Sequence, residues 1–257
     1  MIIGIGIGGE TAKILSSIRK VEDSCQVIGY SKEDIEIPEG IPARIYSHPE
    51  KALITDLMEG RLDAAVRGTL PSHETLRELR QQTGVPYLER IALLETPKGI
   101  QFLLAPVGVD EGWTVEQKVD LIRKGEPLVK MCGLKGGTGV LSGGRLGDRG
   151  RHPAVDRSLA DAEEVARRTG ARHYEILIEN AIQKCSLIIA PDGVSGNLIF
   201  RTLVFLGGGI GHGAPVVNID KIFVDTSRAS PDYSKALMLA VSLANSPKNL
   251  FSRSLQG

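Results

Sequence analysis

Short apolar runs alternate along this chain with stretches whose apolar residues recur every three or four positions, and glycines stand at most of the joins. That pattern predicts an α/β protein with mainly parallel strands. "MIIGIGI" predicts a first strand, and Glu10 to Lys20 a helix with Ile14, Leu15 and Ile18 on one face. "CQVIGY" and "ARIY" predict further strands, followed by "PEKALITDLMEG", a helix stopping at Gly60. "LDAAVRG" predicts a strand into a glycine turn, and "YLERIALLE" with "QFLLAPVG" a strand pair or strand extension.

A boundary is expected near Ala105. Past the loop from Val107 to Gly112, Thr114 is a candidate N-cap for the helix "VEQKVDLIRKGEP". "KMCGLKGGTGVLSGG" then predicts a buried strand ending in glycines, "GRLGDRGRHPAVD" a basic loop, and "SLADAEEVARRTG" a helix closed by Gly170. "CSLIIAPDG" reads as a strand into a turn, "GNLIFRTLVFLGG" as an apolar helix, "KIFVDTSR" as a strand and "DYSKALMLAVSLANS" as a closing helix.

Composition narrows the class. The 257 residues are 42% hydrophobic and 24% charged, ordinary for a globular protein able to bury a real core. Aromatics make up only 4%, so Leu, Ile, Val and Ala should pack that core. Lys plus Arg and Asp plus Glu balance at 31 each, leaving no overall field to attract nucleic acid or an anionic membrane. No charged leader precedes a long apolar run and no segment approaches about 20 apolar residues, so the expectation is a cytoplasmic protein without a membrane span. Cys25, Cys132 and Cys185 lack metal-ligand spacing and read as inert thiols, with no metal site.

Four stretches carry candidate chemistry. "IGIGIGGET" contains G-x-G-x-x-G at Gly4, Gly6 and Gly9, which fits either a dinucleotide site or a tight turn from strand to helix. "GRLGDRGRH" sets Arg145, Arg149, Arg151 and His152 around Asp148, as an anion loop or a salt-bridged one. "IAPDGVSGN" ends a strand in Asp192 and Gly193 and turns through Ser195, Gly196 and Asn197 into a helix. Either these groups meet a ligand at the strand's carboxyl end, or Asp192 and Ser195 cap the helix. In "VDTSRASPDYSKAL", Thr226, Ser227 and Arg228 could hold an oxyanion and Asp232 accept a proton. Capping also explains Ser230 and Asp232 but not Arg228.

Together these stretches resemble the phosphate acyltransferases, meaning phosphate acetyl- and butyryltransferases and their phospholipid-synthesis relatives. "DGVSGNLIFRTL" is similar to that group's strand-turn-helix element, and "DTSRASPDYSKALMLAVSLA" to its closing segment with a Ser-Arg pair. "GRLDAAVRGTL", "FLLAPVGVDEGWTVEQK" and "ENAI" are similar to further elements. Within the group, "LSGGRLGDRGRH" and "DGVSGN" resemble the methanogenesis marker protein 4 family, also labelled methyltransferase subunit X, which implies a methanogen source.

The resemblance implies two α/β domains of the isocitrate and isopropylmalate dehydrogenase type, residues 1–105 plus 224–257 and 106–223, with a cleft between them and a homodimeric assembly. It implies that Ser227 and Arg228 stabilise an oxyanion and phosphate, with Asp232 as proton acceptor. Asp192, Gly193, Ser195, Gly196, Asn197, Arg67, Gly68, Thr69, Ser142 and Arg145 would surround a small phosphorylated or coenzyme-linked ligand. Coenzyme A is a candidate substrate, and no tightly bound cofactor is expected. Asp232 lies four residues past Arg228 where phosphate acetyltransferases have six, a turn of roughly 200° on a helix. Three functions follow as expectations: an acyltransferase-like transferase, a methyltransferase component in methanogenesis, or a non-catalytic phosphate-ligand-binding protein.

Overall fold

The computed structural model describes residues 1–246 and divides into two compact units, Met1–Leu88 with residues 212–246, and Glu89–Gly211. Each is an α/β layer with its own six-stranded sheet. The hairpin ahead of the expected Ala105 boundary belongs to the second sheet, and the first sheet regains the chain before Val224.

In the first unit the chain runs β1 (Ile2–Ile7), α1 (Thr11–Arg19), β2 (Gln26–Ser31), β3 (Ala43–Ile45), α2 (Pro49–Met58), β4 (Ala64–Val66) and α3 (Ser72–Thr83). It returns through β11 (Ala214–Pro215), β12 (Phe223–Asp225) and α8 (Ser234–Ala244). The sheet order is β11-β12-β4-β1-β2-β3, parallel except for β11. Central β1 is covered on both faces, and its "IIGIGI" alternation has a packing cause. Ile3, Ile5 and Ile7 are buried, while a Cβ on Gly4 would crowd Leu53 and Leu62 at 2.6 Å and one on Gly6 would overlap the Leu70 side chain and the Arg67 carbonyl. These two glycines therefore lie inside the strand and admit neighbouring side chains. In a dinucleotide fingerprint they would line a phosphate turn. The tight-turn reading survives only for Gly8 and Gly9.

A buried network braces this unit. Asp56 accepts hydrogen bonds from Tyr30, Arg44 and Arg61, with Arg61 Nε at 2.9 Å. Burial pushes the Asp56 carboxyl up, but the bonds from Tyr30 and Arg61 and the two guanidinium charges outweigh it and hold the group below its ordinary value. A carboxylate with a lowered folded-state pKa stabilises the fold above the unfolded value of about 4, and that contribution disappears as pH falls through the lowered value. Asp56→Asn is expected to lower the melting temperature at pH 7 and to flatten the acid limb of a melting-temperature profile below about pH 4, measured by circular dichroism. An unchanged acid limb would rule this account out.

The second unit contains β5 (Ala92–Glu95), β6 (Gln101–Ala105), α4 (Val115–Met131), β7 (Gly137–Val140), α5 (Pro153–Thr169), β8 (Arg172–His173), α6 (Ile178–Ala181), β9 (Cys185–Ile189), α7 (Gly193–Arg201) and β10 (Ile210–Gly211). Its sheet order is β10-β5-β6-β9-β7-β8. β5 and β6 pair antiparallel, whereas β6, β9, β7 and β8 are parallel. Thr114 caps α4 in a reciprocal box with Gln117, and Gly170 ends α5 in the left-handed region at φ 72°. α5 begins earlier than the expected loop allows, because Pro153 takes the first helical position and His152 Nδ1 accepts from Ala154 N at 3.1 Å. The apolar stretch after Asn197 leaves α-helical geometry at Thr202–Leu206, a single π-helical turn.

Candidate active site

Three loops follow the carboxyl ends of adjacent parallel strands β12, β4 and β1, the edge at which open α/β sheets bind ligands. They are cross-linked. After β4, Thr69 Oγ1 donates to the Gly9 carbonyl at 3.0 Å and accepts from Gly8 N at 2.9 Å, while Thr69 N bonds to the Gly6 carbonyl. Gly68 has φ +61°, and a Cβ there would overlap the Gly6 carbonyl oxygen, so both conformation and proximity require glycine. Thr226 Oγ1, after β12, donates to the Gly68 carbonyl at 3.0 Å.

Arg67 is nearly inaccessible, 4% exposed. Its Nε bonds to Asp225 Oδ1 at 2.5 Å and its Nη1 to the Leu70 carbonyl at 2.8 Å. The guanidinium expected to meet substrate instead ties β4 to β12. Arg228 is its counterpart in solvent: its side chain is exposed and makes no hydrogen bond or ion pair with the described residues. Its backbone is held firmly, with the carbonyl accepting from Lys13 Nζ at 3.1 Å and Tyr233 Oη at 3.3 Å. The Tyr233 hydroxyl also donates to the Ser227 carbonyl at 3.2 Å. Burial, with the Glu10 charge, pushes that phenol up to about 12, so it stays a donor at neutral pH. Ser227 Oγ accepts from Ala229 N at 3.2 Å and remains half-buried.

Asp232 sits beside this loop, but its carboxylate is engaged. One oxygen is ion-paired with Lys20, and the other accepts from Ser234 N at 2.6 Å and from the Ser234 hydroxyl. Burial raises the carboxyl, and the Lys20 and Ser234 bonds together bring it below its ordinary value. The residue is a cap and an ion-pair partner, the wrong state for a group that must take up a proton near neutral pH. Sequence reasoning missed Tyr233, Lys13 and Lys20. Lys13 and Lys20 carry no local signal, because they reach this segment only when the chain ends of the unit come together, whereas Tyr233 lies only five residues past Arg228.

In the second unit the "DGVSGN" turn approaches protein backbone. A Cβ on Gly193 would overlap the Gly108 carbonyl oxygen, and one on Gly196 the Pro106 carbonyl oxygen. Asp192 caps α7 by accepting from Ser195 N at 2.8 Å, and Asn197 Nδ2 donates to the Val107 carbonyl at 3.0 Å. The loop they meet follows a cis Ala105–Pro106 bond and is held by Glu111, whose carboxylate accepts from Arg90 Nε at 2.6 Å and Gly108 N at 3.2 Å. Burial pushes the Glu111 carboxyl up despite the Arg90 charge. Only the Ser195 hydroxyl in this motif makes no hydrogen bond with the described residues.

The basic loop is largely self-satisfied. Arg151 pairs with Asp148 at 2.6 Å, Arg149 pairs with Glu163, and Arg145 N bonds to Asp148 Oδ2 at 2.8 Å, leaving the Arg145 side chain exposed. Ser142 is buried, donating to the Gly144 carbonyl at 2.9 Å and meeting His173 Nε2 at 2.9 Å. Among the described residues no group of three or more His, Cys, Asp or Glu is arranged to hold a metal ion, and no helix is long and apolar enough to cross a membrane.

Relatives named "Putative methyltransferase mtx subunit X" from Methanosarcina barkeri and Methanosarcina mazei are 42% and 43% identical over 252 residues, covering 95% of this chain and 93% and 90% of theirs. The chain belongs to the mtx subunit X family. No family model matches it. The fold of this chain is that of the phosphotransacylases: a branched-chain phosphotransacylase from Enterococcus faecalis V583 superposes with a TM-score of 0.74 at 17% identity, over 96% of this chain and 100% of that one. The resemblance read from the sequence therefore holds at both levels, and both of these relatives are from methanogenic archaea.

Proposed function

We propose that this chain is a transferase whose first unit binds a phosphate- or coenzyme A-type ligand through Arg228, with Ser227 beside it. The observation that carries this reading is a guanidinium with no internal partner among the described residues, on a loop fixed by Tyr233, Lys13 and the Thr226–Gly68 bond. A prefixed cation facing developing negative charge stabilises an oxyanion without reorganisation. In acyl transfer, a coenzyme A thiolate would attack the acyl phosphate carbonyl. A C–S bond forms, the C–O bond to phosphate breaks, and Arg228 offsets charge on the leaving phosphate.

The test is thermal stabilisation of wild type and Arg228→Ala by phosphate, acetyl phosphate, coenzyme A and S-adenosylmethionine. A ligand at 100 times its Kd adds about 2.7 kcal/mol. Stabilisation by phosphate or coenzyme A that disappears in Arg228→Ala is the expected result. Stabilisation by none of the four would sink the proposal, and stabilisation by S-adenosylmethionine alone would turn it toward methyl transfer, the activity in the relatives' name.

The Asp232–Lys20 pair favours a second reading, in which the ligand is bound but not turned over. Binding without acetyl-coenzyme A formation, unaffected by Asp232→Asn, would establish it. Turnover reduced by that substitution would exclude it.

A further inference from the structure

A cavity of about 430 Å³ opens in the second unit, lined by one continuous segment running from edge strand β8 through α6 toward β9. Arg172, His173, Glu175, Asn180, Gln183 and Lys184 supply its polar wall. The side chains of Asn180, Gln183 and Lys184 make no hydrogen bond or ion pair with the described residues, and Arg172 meets only Tyr174, hydrogen-bonding its hydroxyl and lying over its ring 5.0 Å from the centroid. Arg172 and Lys184 form no ion pair with a described carboxylate, whereas on the same unit Arg149 pairs with Glu163, Arg151 with Asp148, Arg167 with Glu164 and Arg168 with Glu116. These two cations and the two amides line a concave surface together with the Glu175 carboxylate.

The acceptor side of the cavity is also defined. Ser142 donates its hydrogen to the Gly144 carbonyl, so its oxygen is the acceptor for His173, whose Nε2 must carry the proton. Burial keeps that imidazole below its ordinary value, which leaves the neutral ring with Nδ1 as an acceptor. Glu175 adds a carboxylate. Its backbone sits at φ 56°, in the left-handed region that a non-glycine residue rarely adopts. Ser142 N donates to the Glu175 carbonyl at 2.8 Å, which ties the cavity wall to the segment after β7.

We propose that this cavity binds a small organic anion that carries a phosphate or carboxylate group together with hydroxyls. Arg172 and Lys184 take the oxyanion, the two amides add directed hydrogen bonds, and His173 with Glu175 accept from the hydroxyls. Its volume suits a ligand of metabolite size. Its lining residues all belong to the second unit, whereas Arg228 belongs to the first.

The experiment uses the full chain carrying Arg228→Ala, so that binding at the first unit is removed. Calorimetric titration with inorganic phosphate, glycerate and 3-phosphoglycerate tests the oxyanion types separately and together. The expected result is one saturable site for 3-phosphoglycerate, weakened at least tenfold by Arg172→Ala with Lys184→Ala and retained by Lys184→Arg. Binding of phosphate alone or glycerate alone at the same site would identify which oxyanion is read. Both residues are exposed, so the double variant keeps its fold, confirmed by an unchanged melting temperature. No saturable binding of any of the three probes, or undiminished affinity in the double variant, would overturn the assignment.

Discussion

Arg67→Met is expected to destabilise the protein by about 3–5 kcal/mol, the range for removing one partner of a buried ion pair. The guanidinium bonds Asp225 and the Leu70 carbonyl, and Asp225 is itself only 9% exposed. Methionine fills the stem's volume but takes the countercharge away from a carboxylate that has been moved out of water. Urea denaturation measures the loss. The companion variant Arg67→Met with Asp225→Leu should recover a large part of it, because removing both charges also removes the desolvation cost of each. A single variant within about 0.5 kcal/mol of wild type would mean that solvent reaches the pair, and that Arg67 is available to a ligand after all.

Gly193→Ala carries the second large effect, about 3 kcal/mol at the upper end of overpacking costs. The added Cβ overlaps the Gly108 carbonyl oxygen and also crowds the Glu111 carbonyl at 2.9 Å. Neither atom is the flexible end of a side chain. Both belong to a loop held by the Arg90–Glu111 pair and by Gly193 N, which donates to the Glu111 carbonyl at 3.0 Å. Gly147→Ala is the matched control, since a Cβ there meets nothing within 4 Å, and should stay within about 0.5 kcal/mol. Equal effects from the two substitutions would show that the turn is not packed as described. A folded Gly193→Ala protein of wild-type stability would restore the idea that this glycine makes room for a ligand.

The two predictions share a lesson about what local chemistry can reveal. Arg67 and Arg228 both stand in loops after strands, next to glycine or serine, and nothing in their neighbours separates them. Asp225 lies 158 residues from Arg67, and only pairing of β12 with β4 brings it there. Asp232 was legible as either a base or a cap. Lys20, 212 residues away, decides between them by occupying its carboxylate. The cavity around Arg172 and Lys184 was not foreseen from the sequence: its stretch has no periodicity, and only Asn180, within "ENAI", falls in a family-like element.

The sequence by itself determined the α/β class, most strands and helices, and the caps at Thr114, Asp192 and Gly170, because periodicity and capping act over a few residues. It also determined the family resemblance, since motif order survives along the whole chain. Only the tertiary structure decided what the glycines of "IGIGIGG" and "DGVSGN" admit, and which charged groups are already neutralised by partners far away in sequence. Those outcomes depend on burial and distance, and both are set by packing between elements that no local pattern encodes.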